Sequence, residues 1–125
     1  MPKRLLLIDD NADNRLAFAV RLKNHGFDVA VAGSGGEGLR LAEAQSHDLI
    51  LIDQRMPDQK GTEVYAALRS RPSTATVPII IFTADFPPEH WQPIAPDDPR
   101  GHIMGKPGTH VMLLRRVEEA LGTAG

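Results

Sequence analysis

The sequence predicts one α/β domain: a doubly wound, five-stranded parallel sheet with helices on both faces. Short apolar runs alternate with helical patterns along the 125 residues. Three of the runs, "RLLLI" (4–8), "LILI" (49–52) and "VPIIIF" (77–82), are apolar without alternation, as strands covered on both faces are. Strand and helix segments that alternate at this length imply right-handed crossovers and hence a parallel sheet.

Each element has its own local reason. The first strand, 4–8, leads to a helix over 13–25 that places Phe18, Ala19 and Leu22 on one face and closes at Gly26. "FDVAVA" (27–32) is the second strand. A helix over 35–46 follows Ser34, and Glu37 three positions on completes a capping box. After the third strand, 49–52, a helix over 61–71 turns Val64 and Leu68 inward and stops at Pro72. The fourth strand is 77–82 and the fifth "HIM", 102–104. The last helix, 110–121, has Thr109 as its N-cap, Met112, Leu113, Val117 and Leu121 along one stripe, and Gly122 at its end.

Between the last two strands a further helix is due, and the sequence supplies "FPPEHWQPIAPDDPRG" (86–101), with prolines at 87, 88, 93, 96 and 99. Each proline removes a backbone donor and costs about 3 kcal/mol inside a helix. The fourth helix is therefore short, a turn within 88–92, or replaced by a semi-rigid proline-rich loop. Trp91 and Phe86 are its apolar anchors, read first as tacking the loop to the sheet and second as a partner contact.

Composition narrows the function. Apolar residues are 42%, charged residues 24% and net charge −2, ordinary for a globular protein and no general reason to bind nucleic acid or an anionic membrane. Without cysteine there are no disulfides or thiolate sites. "MPKRLLLIDDN" is neither a signal peptide nor a span, so a cytoplasmic protein is expected. The histidines at 25, 47, 90, 102 and 110 lack metal-ligand spacing and read as surface or loop residues. "GSGGEG" (33–38) lacks the Lys-Ser/Thr of a P-loop and reads as a helix entry.

In an open parallel sheet, ligands bind outside the carboxyl ends of the strands. Those ends carry Asp9-Asp10, Asp53, Thr83-Ala84 and Lys106. Carboxylates so close repel unless a cation neutralises them, and Mg²⁺ meets that need. A lysine beside them pairs with a carboxylate or with a phosphoryl oxygen, so the set suits phosphoryl transfer. Taken singly, Asp9-Asp10 also reads as a strand end plus helix cap, and Asp53 as the start of a turn.

"LLLIDDN", "LILIDQRMPDQKG", "IIIFTA" and "GKP", in that order over roughly residues 3 to 122, resemble the receiver domain of bacterial two-component response regulators, in its chemotaxis-type, single-domain form. The resemblance implies a strand order of 2-1-3-4-5 and a set of roles. Asp53 accepts a phosphoryl group from a histidine kinase or histidine phosphotransfer protein. Asp10, Asp53 and the backbone carbonyl of Arg55 bind Mg²⁺, and Asp9 assists. Lys106, the Thr83 hydroxyl and the Ala84 amide contact the phosphoryl group. Arg55 and Asp85 border the site and tune the phosphoryl lifetime.

The sequence departs from the family where an aromatic residue usually stands three positions before the lysine; here it is Ile103. The expectation is a single receiver domain over 1–125 with no output domain, a monomer or weak homodimer. It would signal to a downstream protein target, with no direct contact to nucleic acid or membrane. Its chemistry would be confined to its own phosphorylation and dephosphorylation. A degenerate, phosphorylation-independent binding module is the alternative. A small aspartyl-phosphate phosphatase is disfavoured because Arg55 stands where such enzymes carry a second acid.

Overall fold

The computed structural model describes residues 2–106 and 110–122. In chain order the elements are β1 (Arg4–Ile8), α1 (Ala12–Asn24), β2 (Asp28–Ala32), α2 (Gly35–Ala44), β3 (Leu49–Asp53), α3 (Gly61–Arg69), β4 (Ile79–Thr83), β5 (Trp91–Pro93), β6 (Gly101–Gly105) and α4 (His110–Leu121). The sheet order is β2-β1-β3-β4-β6-β5. The five long strands are parallel in the expected order, and β5 adds a short antiparallel edge, so the sheet has six strands rather than five.

Alternate residues of the central strands feed two separate cores. Leu5, Leu7, Leu49, Leu51, Ile80 and Phe82 pack with Leu22 of α1 and with Leu113 and Val117 of α4. Leu6, Ile8, Ile50, Ile52, Ile79 and Ile81 pack on the opposite face with Ala42 of α2 and with Val64 and Leu68 of α3. Every residue of β3 and β4 is buried. Burial on both faces is why these strands show no polar alternation.

Three local expectations are refined. The side chain that caps α1 is Asn11, whose Oδ1 accepts from the Asn14 N–H at 2.9 Å, so neither Asp9 nor Asp10 is spent as a helix cap. Ser34 caps α2 by accepting from the Glu37 N–H at 3.1 Å. Glu37, however, reaches back to the Gly33 N–H at 2.7 Å rather than to Ser34, which leaves half of the expected box. Gly26 and Gly122 have positive φ (97° and 70°) and end α1 and α4, as predicted. The expected cap at Thr109 lies outside the described residues, as does Pro107.

The proline-rich stretch contains no fourth helix: as the loop alternative expects, only a single turn is left of it, in which the His90 N–H donates to the Pro87 carbonyl at 3.0 Å. Instead Trp91–Pro93 pairs with β6, Trp91 opposite Met104, Gln92 opposite Ile103 and Pro93 opposite His102. Because the Ile94 N–H donates to the Gly101 carbonyl, the position before it faces outward, and Pro93 lacks a donor only where none is needed. Trp91 is half-buried against the first core; its ring stacks on His102 (centroids 4.3 Å apart) and lies 4.7 Å beneath the Arg116 guanidinium. His102 is thus a half-buried strand residue, not a surface or loop one. Trp91 does tack the segment down, whereas Phe86 stays 41% exposed and stacks on His90.

A second clasp holds the far end of this segment. Arg69 donates to Asp98 Oδ2 (2.8 Å) and to the carbonyls of Thr74 (3.0 Å), Val77 (2.6 Å) and Arg100 (3.2 Å), while the Tyr65 hydroxyl donates to the same Asp98 oxygen. Burial alone would raise the Asp98 pKa, but hydrogen bonds from Arg69 and Tyr65 hold it below the usual carboxylate range.

Candidate functional site

Parallel register brings the strand ends to one edge. Ile8 pairs with Ile52, Asp53 with Phe82, and Thr83 with Gly105, so Asp9, Asp53, Thr83 and Lys106 line up across four adjacent strands. Asp9 and Asp53 are buried, Asp10 is exposed, and carboxylate oxygens of all three lie within 4.8 Å of one another. The turn after β1 is braced by Arg15, whose guanidinium donates to the Asp9 carbonyl at 2.8 Å. Sequence reasoning missed Arg15, which is one of two arginines on α1 until the fold aims it.

Burial first, and the Asp9 charge second, push the Asp53 pKa up to about 6; the Lys106 ammonium and the Arg55 N–H oppose that rise. Lys106 Nζ stands 3.9 Å from Asp53 Oδ2, a loose pair in which the lysine is one-third exposed. The Arg55 N–H donates to Asp53 Oδ1 at 3.4 Å. Thr83 is buried at the end of β4, and its hydroxyl oxygen accepts from the Asp85 N–H at 3.1 Å. Ala84 is exposed beside it and leaves that wall open.

The residues present fit a hard divalent cation. Asp9 Oδ1 accepts from the Asn11 N–H at 2.9 Å, but Asp9 Oδ2 is buried and has no hydrogen-bond partner among the described residues. An orphaned carboxylate oxygen beside a second buried carboxylate is costly unless a positive charge faces it. An all-oxygen donor set of this kind suits Mg²⁺.

A cleft of about 590 Å³ opens beside Asp10, lined also by Gln54, Arg55, Met56, Lys60 and Asp85. Arg55 and Asp85, on loops from different strands, form an ion pair at its mouth. Both are more than half exposed, which makes the pair cheap to open. On the other side, Gly105 sits directly under the chain at Phe86–Pro87, and a Cβ there would overlap the Pro87 carbonyl. The proline-rich segment therefore rests on the residue before Lys106. Ile103, the position that departs from the family, is half-buried between β4 and β5 and packs against the second core.

The family model for the response regulator receiver domain matches residues 5–98. The chain belongs to the response regulator receiver family. Among solved structures, this receiver superposes on the chemotaxis response regulator CheY4 of Vibrio cholerae with a TM-score of 0.83 at 27% identity, covering 96% of this chain and 99% of the other. It superposes equally well, at TM-score 0.82, on the receiver domain of the sensor histidine kinase PA1611 from Pseudomonas aeruginosa. There the identity is 26% and the coverage 98% and 99%, and that structure holds a magnesium ion in its active-site cleft. Among curated relatives, the receiver is 33% identical over 116 residues to the sensor kinase/phosphatase CqsS of Vibrio cholerae. The match takes in 92% of this chain and 17% of CqsS. It is 32% identical to Pseudomonas aeruginosa PilH over 64% of this chain and 66% of PilH. The chain thus spans less than a fifth of the first relatives it matches. No helix among the described residues is long and apolar enough to cross a membrane.

Proposed function

We propose that the protein is a phosphoacceptor of two-component signalling, in which Asp53 takes a phosphoryl group from a phosphohistidine on a histidine kinase or phosphotransfer protein. The observation that carries this reading is the placement of Asp53: buried, beside Asp9 and Asp10, with the Lys106 ammonium at hand. A carboxylate oxygen of Asp53 attacks phosphorus, an acyl–phosphate bond forms, and the bond to the donor imidazole breaks, leaving that ring neutral once it takes a proton. Asp10, Asp53 and the Arg55 carbonyl, with Asp9 in support, would hold Mg²⁺, whose charge would offset that of the approaching phosphoryl oxygens. Lys106 offers a second positive charge. The Thr83 hydroxyl, now accepting from Asp85, is free to rotate its own proton toward a phosphoryl oxygen, and the Ala84 N–H stands next to it.

In this reading the protein turns over no external substrate. Its output is a change in protein–protein contacts rather than direct binding of nucleic acid or membrane. The edge strand β5, in place of a fourth helix, and Ile103, in place of an aromatic residue, favour a second reading as a phosphorylation-independent binding module. Incubation with acetyl phosphate separates the two. Phosphoacceptance predicts a Mg²⁺-dependent mass gain of one phosphoryl group in wild type and none in Asp53→Asn. No gain in wild type, with Mg²⁺ present and the fold intact, leaves only the binding module.

A further inference from the structure

The loop between β3 and α3, residues 54–60, carries Arg55 past the phosphoacceptor. Its two ends are tied locally: the Gly61 N–H donates to the Gln54 carbonyl at 3.0 Å, and the Thr62 N–H donates to Gln54 Oε1 at 3.0 Å. Its middle is tied to a different helix. The Asp58 carboxylate accepts from the Gly35 N–H at 3.2 Å and the Gly36 N–H at 3.0 Å, both in the first turn of α2. These amides are among those a helix cannot satisfy internally, and they lie at its positive end. The Gly36 N–H is the chief reason the Asp58 pKa lies below the usual carboxylate range.

The neighbouring residues are shaped to this contact. Ser34 and Glu37 already satisfy the Glu37 and Gly33 amides, which leaves Gly35 and Gly36 for Asp58. The Gln59 side chain fills the space over Gly35, where a Cβ would lie 2.5 Å from Gln59 Cγ. "GSGGEG" is therefore more than a helix entry: it is a seat for a carboxylate supplied by the chain itself, 22 to 23 residues further on.

We propose that Asp58 is a positioning residue, which latches the β3–α3 loop to the start of α2 and so fixes the Arg55 backbone against the Asp53 carboxylate. The Arg55 N–H to Asp53 Oδ1 distance, 3.4 Å, is at the limit of a hydrogen bond, so a small drift of the loop breaks it. The consequence for Mg²⁺ rests on the function proposed above; the latch itself does not.

The test compares wild type, Asp58→Ala, Gly35→Ala and the double variant in two experiments. The first is amide hydrogen exchange at Arg55 by NMR in metal-free protein. The second is Mg²⁺ affinity by calorimetry. Gly35 has no positive φ and alanine is the better helix former, so any loss in Gly35→Ala comes from displacing Gln59. Each single variant is expected to speed Arg55 exchange about threefold to tenfold, the scale of one exposed hydrogen-bonded contact. Amides of β1 and β4 should be unchanged, and the double variant should be no worse than the worse single. Mg²⁺ affinity should fall by a similar factor. Unchanged Arg55 exchange in Asp58→Ala, or additive effects in the double variant, overturns the latch. Wild type that binds no Mg²⁺ overturns the proposed function instead, and the exchange data still decide the latch.

Discussion

Replacing Asp53 with asparagine is expected to stabilise the metal-free protein at neutral pH, although it removes the phosphoacceptor. The Asp53 carboxyl has a folded-state pKa of about 6 against an ordinary 3.8, because burial and the Asp9 charge disfavour its ionisation. A carboxyl with a raised folded pKa destabilises the fold as it ionises. The cost is absent below about pH 4, grows between the two pKa values, and is complete above about pH 6. Roughly two pKa units at ~1.4 kcal/mol each give a cost of about 3 kcal/mol at about pH 7.5. Near pH 4.5 the same linkage leaves about 1 kcal/mol. Asparagine carries none of this cost, and the opposing pull of Lys106 on the carboxylate is already contained in the value of about 6. The expectation is a gain of about 3 kcal/mol, a midpoint higher by roughly 10 °C for a domain of this size. Thermal and urea unfolding followed by circular dichroism in EDTA, at both pH values, reads it directly. A variant less stable than wild type at the higher pH, or a gap that does not shrink at the lower one, refutes the reasoning. Added Mg²⁺ should reverse the order by stabilising wild type alone.

Arg55→Ala removes the ion pair across the cleft mouth, and hydrolysis of the phosphorylated protein should accelerate about threefold or more; an unchanged rate counts against a shielding role. Trp91→Ala loses the His102 stack, the Arg116 contact and part of the first core, and should cost about 2–3 kcal/mol in urea unfolding, against nearly nothing if β5 were a passive loop. Arg69→Ala removes the guanidinium that donates to Asp98 and to three backbone carbonyls, and the same assay should show a loss of about 2–3 kcal/mol. A loss under about 0.5 kcal/mol would mean that this clasp is ornamental.

The central strands were legible because burial on both faces leaves unbroken apolar runs, and the site was legible because parallel strands deliver their terminal residues to one edge. Asp9, Asp53, Thr83 and Lys106 all stand where that rule places them. What escaped the sequence is non-local. "WQP" is too short to declare itself a strand; it forms one because Gly105 lets the chain at Phe86–Pro87 settle on β6 and because Arg116, from the last helix, covers the indole. The sequence offers Asp9-Asp10 as the α1 cap, and only the folded turn shows that Asn11 takes the role while Asp9 keeps a bare oxygen. Asp58 looks like any loop aspartate until the fold lays it on Gly35 and Gly36.

Phosphoacceptance at Asp53 requires that the acyl phosphate form on that carboxylate. Borohydride reduces an acyl phosphate to an alcohol, so treating the acetyl phosphate-reacted protein and mapping its peptides locates the modified carboxylate. Homoserine is expected at position 53 alone, and only when Mg²⁺ was present. Reduction at Asp9, Asp10 or Asp58 with position 53 untouched would contradict it.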